Sequence, residues 1–155
     1  MDEWTTLTRS LRSLHGVLLR RARAEYVQQR GLSEDEVGPG KLLMLATRDE
    51  SFAWLRSLSE LMTDIDELGD SPDARQDDGL RAAVKEAVQE LLASPAADGA
   101  GTAFQDNYWR HVHADPEVTM AHAAVRQALV PWPAGGSGRS GMAAHLEELR
   151  NGPRS

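Results

Sequence analysis

The sequence predicts an all-α fold: a single-domain bundle of about five helices followed by a flexible C-terminal tail. Three observations lead there. Residues 5–30 carry Leu7, Leu11, Leu14, Leu18 and Ala22 at spacings of four, three, four and four, which is the helical period. Residues 50–69 repeat such an apolar stripe with Trp54, Leu55, Leu58, Leu61, Met62, Ile65 and Leu68, but turn an acidic face outward. No segment alternates apolar and polar residues convincingly enough to propose a strand.

The 155 residues, 41% hydrophobic and 26% charged, suit one domain with a single core. The chain has no cysteine, which removes disulfides, thiolate metal sites and cysteine catalysis and makes a cytoplasmic protein the simplest reading. No apolar run approaches the length of a membrane span. The amphipathic, Arg-rich start resembles a transit peptide in composition, but Asp2, Glu3 and Glu25 argue against one.

Element by element, the first helix continues its stripe to Tyr26, sets Arg9, Arg12, Arg20, Arg23 and Arg30 on the opposite side, and stops at Gly31. Ser33 and Glu36 form a capping-box pair for one short turn. Lys41–Thr47 is apolar on all sides and reads as a short buried helix. Asp49 caps the second long helix, which ends at Gly69. Residues 70–79 read as an acidic, breaker-rich loop. A third helix, from Leu80 to Ala93, faces inward with Leu80, Val84, Ala87, Val88, Leu91 and Leu92. Residues 94–101 read as a flexible connector. Thr102 with Gln105 opens a fourth helix that buries Phe104, Tyr108 and Val112. Asp115-Pro116-Glu117 opens a fifth, with Val118, Ala121, Val125 and Leu129 inward. Residues 1–131 thus form the bundle domain. Residues 132–155 read as a flexible linker and tail, with a short helix allowed at 142–150.

Net charge is −7, unevenly placed: residues 1–31 sum to +3 and the rest to −10. That balance disfavours nucleic-acid or anionic-membrane binding, except through the Arg stripe of the first helix. An interaction surface at Arg9, Arg12, Arg20 and Arg23 suits the acidic face of a second copy, so a homo-oligomer is expected.

Candidate ligand-binding residues are His15, Trp54, Ser59, Asp66 and His122. His15 lies one turn from Leu11 and Leu19, and His122 one turn from Arg126. Were the first and fifth helices neighbours, the two imidazoles could share a pocket for a small molecule or metal. The plainer account is that each is a boundary histidine with an ordinary hydrogen bond. Trp54 and Ser59 belong to an aromatic- and hydroxyl-bearing helix that also presents Asp66 at the edge of its apolar face. Glu25 falls within the Leu stripe and needs a cation, from Arg21 or from another helix, unless it reaches solvent.

Other chemistry finds little footing. His111 and His113 point to different sides of a helix, leaving only a frayed turn with Asp115 to join them. Thr63–Asp70 lacks calcium-loop spacing. No Glu-x-x-His pair, nucleophile elbow, phosphate loop or dinucleotide fingerprint occurs. No motif names a cofactor or a catalytic residue. The reading is a non-enzymatic protein acting through helix-mediated association, with a small-molecule or metal-binding bundle second and anionic-surface binding third.

Overall fold

The computed structural model describes residues 2–95 and 101–152, and all of its regular structure is helical. The α-helices are α1 (Glu3–Arg30), α2 (Pro39–Arg48), α3 (Arg56–Gly69), α4 (Pro72–Gln76), α5 (Asp78–Leu91), α6 (Ala103–Ala114), α7 (Pro116–Leu129) and α8 (Arg139–Asn151). Tight 3-10 turns at Glu34–Glu36 and Glu50–Leu55 complete the order. Among the described residues, no helix is long and apolar enough to cross a membrane.

The 28-residue α1 is the organising rod. Asp2 Oδ1 accepts the Thr5 amide at 2.7 Å, satisfying one of the donors a helix start leaves open. At the far end Gly31 takes φ 64°, and the amides of Gly31 and Leu32 close onto Gln28 O and Val27 O. The whole stripe from Leu7 to Tyr26 is buried. Helix α1 packs most extensively along α7 and also meets α3, α6 and the 3-10 turn at Glu50–Leu55. Its apolar side and that of α3 therefore enter one common core.

The caps read from sequence at Asp49, Thr102 and Asp115 all form. Asp49 accepts from the Ser51 amide at 2.8 Å, Thr102 and Gln105 close a reciprocal box, and Asp115 accepts from the Glu117 amide at 2.9 Å. The segment that Asp49 caps does not begin as an α-helix. Residues Glu50–Leu55 wind at three residues per turn, which stacks Phe52 above Leu55 and buries both. Trp54 is turned to a different neighbour and is only partly buried.

Four other expectations are corrected. The stretch 70–79 is not all loop: Ser71 caps the short α4 and Asp77 caps α5. Of the two leucines expected inward at the end of the third helix, Leu92 is buried but Leu91 only partly so. The helix at Lys41–Thr47 exists as part of α2 but is not buried; it hides only Leu45, and Leu43 is 71% exposed. The C-terminal segment is not a loose tail. Trp132 is buried, stacks on Trp4 with ring centroids 4.9 Å apart, and carries the Arg81 guanidinium on its face. Helix α8 lies against α5 and α3 and buries Met142 and Leu146.

Glycine makes that docking possible. A Cβ at Gly136 would stand closer than 3.0 Å to the backbone of Ala82 and Ala83 in α5. The composition that suggested flexibility instead permits close approach. Of the expected connector 94–101, residues 96–100 lie outside the described residues, as do Met1 and residues 153–155.

Candidate functional site

The five candidate ligand residues do not converge. Helices α1 and α7 are neighbours, as a shared imidazole site would require, yet His15 and His122 line separate clefts.

His15, partly buried on α1, sits in a cleft of about 790 Å³ between α1, α2 and α3, with Leu19, Leu42, Ala46 and Leu55 as apolar walls. Its Nε2 lies 2.9 Å from Ser59 Oγ. The Ser59 hydroxyl also lies 3.3 Å from Leu55 O, and its one proton serves either that carbonyl or the imidazole. Burial holds the His15 pKa below its ordinary value, which favours the neutral ring. The pair therefore reads as a polar anchor in an apolar cleft. Arg139 and Asp64, 2.8 Å apart, close one side of it.

Asp66 is not in that cleft. It faces Arg12 across 3.5 Å, with both side chains about half exposed or more. Trp54 is also elsewhere: it stacks on His111 at 5.6 Å and tilts against Phe104 at 5.9 Å.

His122 belongs to a second cleft of about 380 Å³, between α5 and α7, with Trp109 of α6 on its wall. Its Nδ1 is 2.5 Å from the hydroxyl of fully buried Tyr108. Burial pushes the Tyr108 pKa upward, so the phenol keeps its proton, and among the described residues Nδ1 is its one hydrogen-bond partner, so the phenol donates to it. The imidazole is thereby held as the Nε2–H tautomer. Burial and then the nearby Arg126 hold its pKa below the ordinary value.

The Arg stripe is largely engaged within the chain. Arg12 faces Asp66, Arg20 donates to Glu117 at 2.7 Å, and Arg21 pairs with Asp115. Arg23 pairs with Glu34 and also donates to Val37 O at 3.0 Å. Arg9 makes no ion pair among the described residues. Arg9, Arg12, Arg20 and Arg30 do stay exposed opposite the apolar face, but the chain's own carboxylates meet most of the stripe. Each exposed pair contributes little to stability, but together they reduce the free positive field the stripe would offer a partner.

One polar cluster was only half visible in the sequence. Glu25 takes two bonds from Arg110, at 3.0 and 3.3 Å, so its cation comes from another helix rather than from Arg21. His111, buried beside it, brings Nε2 to 2.9 Å from Glu25 but off the ring N–H direction, so no hydrogen bond forms. Burial keeps the His111 pKa low against the pull of Glu25. The adjacent Arg110-His111 pair on a helix with an otherwise apolar face was the available signal. His113 points away and packs on Trp109 at 5.7 Å. Among the described residues, no group of three or more His, Asp or Glu side chains is arranged to hold a metal. Comparison with protein-family models, curated proteins and solved structures finds no match for this chain.

Proposed function

We propose that this chain is a non-enzymatic association protein that pairs with a second copy of itself through α2. The observation that carries this reading is the surface of α2. The helix carries five consecutive apolar residues, Leu42–Ala46, yet only Leu45 is buried, while Leu43 is 71% and Met44 52% exposed. Helices of that composition belong in an interior, and an uncovered apolar patch marks an interaction surface.

The occupant follows from the shape and charge of the patch. The exposed Leu43, which lines the cleft walled by Leu19, Leu42, Ala46 and Leu55, and its neighbour Met44 form a ridge on α2 at the rim of that cleft. A two-fold axis through α2 would seat the ridge of each copy in the cleft of the other. Lys41 and Arg48 on α2 would meet Glu60 across the rim, so the charges complement as well. Fully covering a Leu or Met side chain is worth about 1.5–3 kcal/mol. Leu43 and Met44, 71% and 52% exposed, supply about 4–7 kcal/mol over the two copies, near the lower end of the association cost of about 4–15 kcal/mol, so the pairing is weak and concentration-dependent. A chain without cysteine fits a cytoplasmic setting.

Sedimentation velocity over a concentration series tests this directly, with Leu43→Asp as the variant. The wild type should move from monomer to dimer, whereas Leu43→Asp should remain monomeric with unchanged helical circular dichroism. A wild type that stays monomeric throughout, or a variant that dimerises equally well, would overturn the reading. So would an equilibrium abolished by moderate salt, which would return the contact to the Arg stripe.

A further inference from the structure

The cleft around His122 plays no part in pairing through α2, and its lining is unusual for this chain. The sequence holds 24 Asp and Glu residues, yet among the described residues none lines the cleft, whereas Lys85, Arg126 and His122 all do. Arg126 is exposed and makes no ion pair among the described residues. Lys85 Nζ donates to Trp132 O at 2.9 Å, which orients the ammonium and leaves its other protons free.

The remaining wall is greasy and fixed. Val88, Leu92, Val125 and Leu129 are buried side chains that line it. The Trp109 indole is pinned by Nε1–H bonds to Leu92 O at 3.1 Å and Ala93 O at 2.9 Å. His122 meets its ring edge-on, with centroids 5.1 Å apart. Because the buried Tyr108 hydroxyl occupies Nδ1, His122 can offer its cleft side only as an Nε2–H donor. A neutral N–H donor and two cations lining one cleft with an apolar floor form the arrangement that recognises an anion attached to a hydrophobic body. The volume of about 380 Å³ suits a small molecule.

We infer that the α5–α7 cleft is a binding site for a small organic anion, a carboxylate carried on an apolar chain or ring. Arg126 and Lys85 receive the carboxylate, His122 donates to it, and Trp109 with the aliphatic floor takes the body. Tyr108 is a positioning residue, acting through the tautomer of His122.

Isothermal titration of the full chain with decanoate tests this, with decan-1-ol as the uncharged analogue of the same length. Decanoate should bind at one site per chain, and decan-1-ol at least about tenfold more weakly, because the charge-assisted contacts are lost. Arg126→Glu replaces an exposed side chain and should weaken decanoate by at least about tenfold, while Arg126→Lys keeps most of the affinity. Leu43→Asp, in the other apolar cleft, should leave decanoate binding within about twofold, since that cleft is separate. The inference is overturned if decanoate does not bind or if decan-1-ol binds equally well. It fails too if Arg126→Glu changes nothing, or if Leu43→Asp is the substitution that removes binding.

Discussion

Gly136→Ala should destabilise the protein, and the sign of the effect separates two accounts of the C-terminal segment. In a flexible linker, replacing glycine by alanine restricts the unfolded chain and stabilises by about 0.4–1 kcal/mol. Gly136 has no positive φ that would penalise a side chain. Any cost must therefore come from contact, and the contacts are severe: the new Cβ would overlap the backbone of Ala82 and Ala83. Helix backbone cannot rotate aside as a side chain can. Overpacking costs about 1–3 kcal/mol; against helix backbone that cannot yield, the upper half of that range applies, which outweighs the entropic gain and leaves a net loss of about 1–2 kcal/mol. For a chain of this size, that lowers the thermal midpoint by about 2–8 °C. Undocking α8 altogether would cost more, because Trp132, Met142 and Leu146 would lose their burial. Thermal unfolding followed by circular dichroism at fixed protein concentration reads the change. Gly16→Ala is the control: a helix-interior glycine with nothing within 4 Å of a new Cβ, it should stabilise by about 0.5–1 kcal/mol. A Gly136→Ala midpoint equal to or above the wild type would refute the packed arrangement of residues 132–152.

Three further outcomes are expected. Burial lowers the pKa values of His15, His111 and His122 from the ordinary 6.5. Their contribution is therefore full above that value and is lost as pH falls through their folded pKa values. His145 is raised by its bonds to Gly141 O and Asp77, so its contribution is present below 6.5 and fades as pH rises through its folded pKa. Three against one, the thermal midpoint should fall between about pH 7.5 and about pH 5, and a flat or rising midpoint would contradict the burial of the imidazoles. Tyr108→Phe removes the donor to His122 Nδ1, and denaturant unfolding should show a loss of about 0.5–1.5 kcal/mol. The His122 pKa, followed by NMR, should move up, because the neutral ring loses its bond. Ile65→Ala, in a fully buried position, should cost about 2–5 kcal/mol, whereas Arg12→Ala should stay within about 0.5 kcal/mol. Comparable losses from the two would contradict the assignment of core and surface.

The parts of the fold legible in the sequence were those that local physics decides. The α1 stripe repeats at the helical period, so its buried face follows from spacing alone. Asp49, Thr102 and Asp115 cap helices through bonds spanning two or three residues, and those are visible in any short window. The C-terminal segment was not legible, because Gly136 and Gly141 look alike whether they serve mobility or close approach. Only the position of α5, far away in sequence, distinguishes the two. The fate of the Arg stripe was hidden for the same reason: Arg20 finds Glu117 across 97 positions. Glu25 was recognisable as a carboxylate in need of a cation, but Arg110 is 85 residues distant. At the candidate site, the helical period placed His15 on the edge of a buried face. Its pairing with Ser59, and that of His122 with Tyr108, depend on how helices cross. Helix α2 departs from expectation for another reason: five apolar residues in a row, Leu42–Ala46, suggest burial, but the neighbouring elements bury only Leu45.

That uncovered face supplies the most direct measurement. The chain contains no cysteine, so Met44→Cys places one thiol on the exposed ridge of α2, and Met120→Cys places one on the exposed side of α7. Treated with a short bis-maleimide, the Met44→Cys protein should be captured as a covalent dimer at concentrations where the Met120→Cys protein stays monomeric. Equal capture of the two, or none at position 44, would contradict pairing through α2.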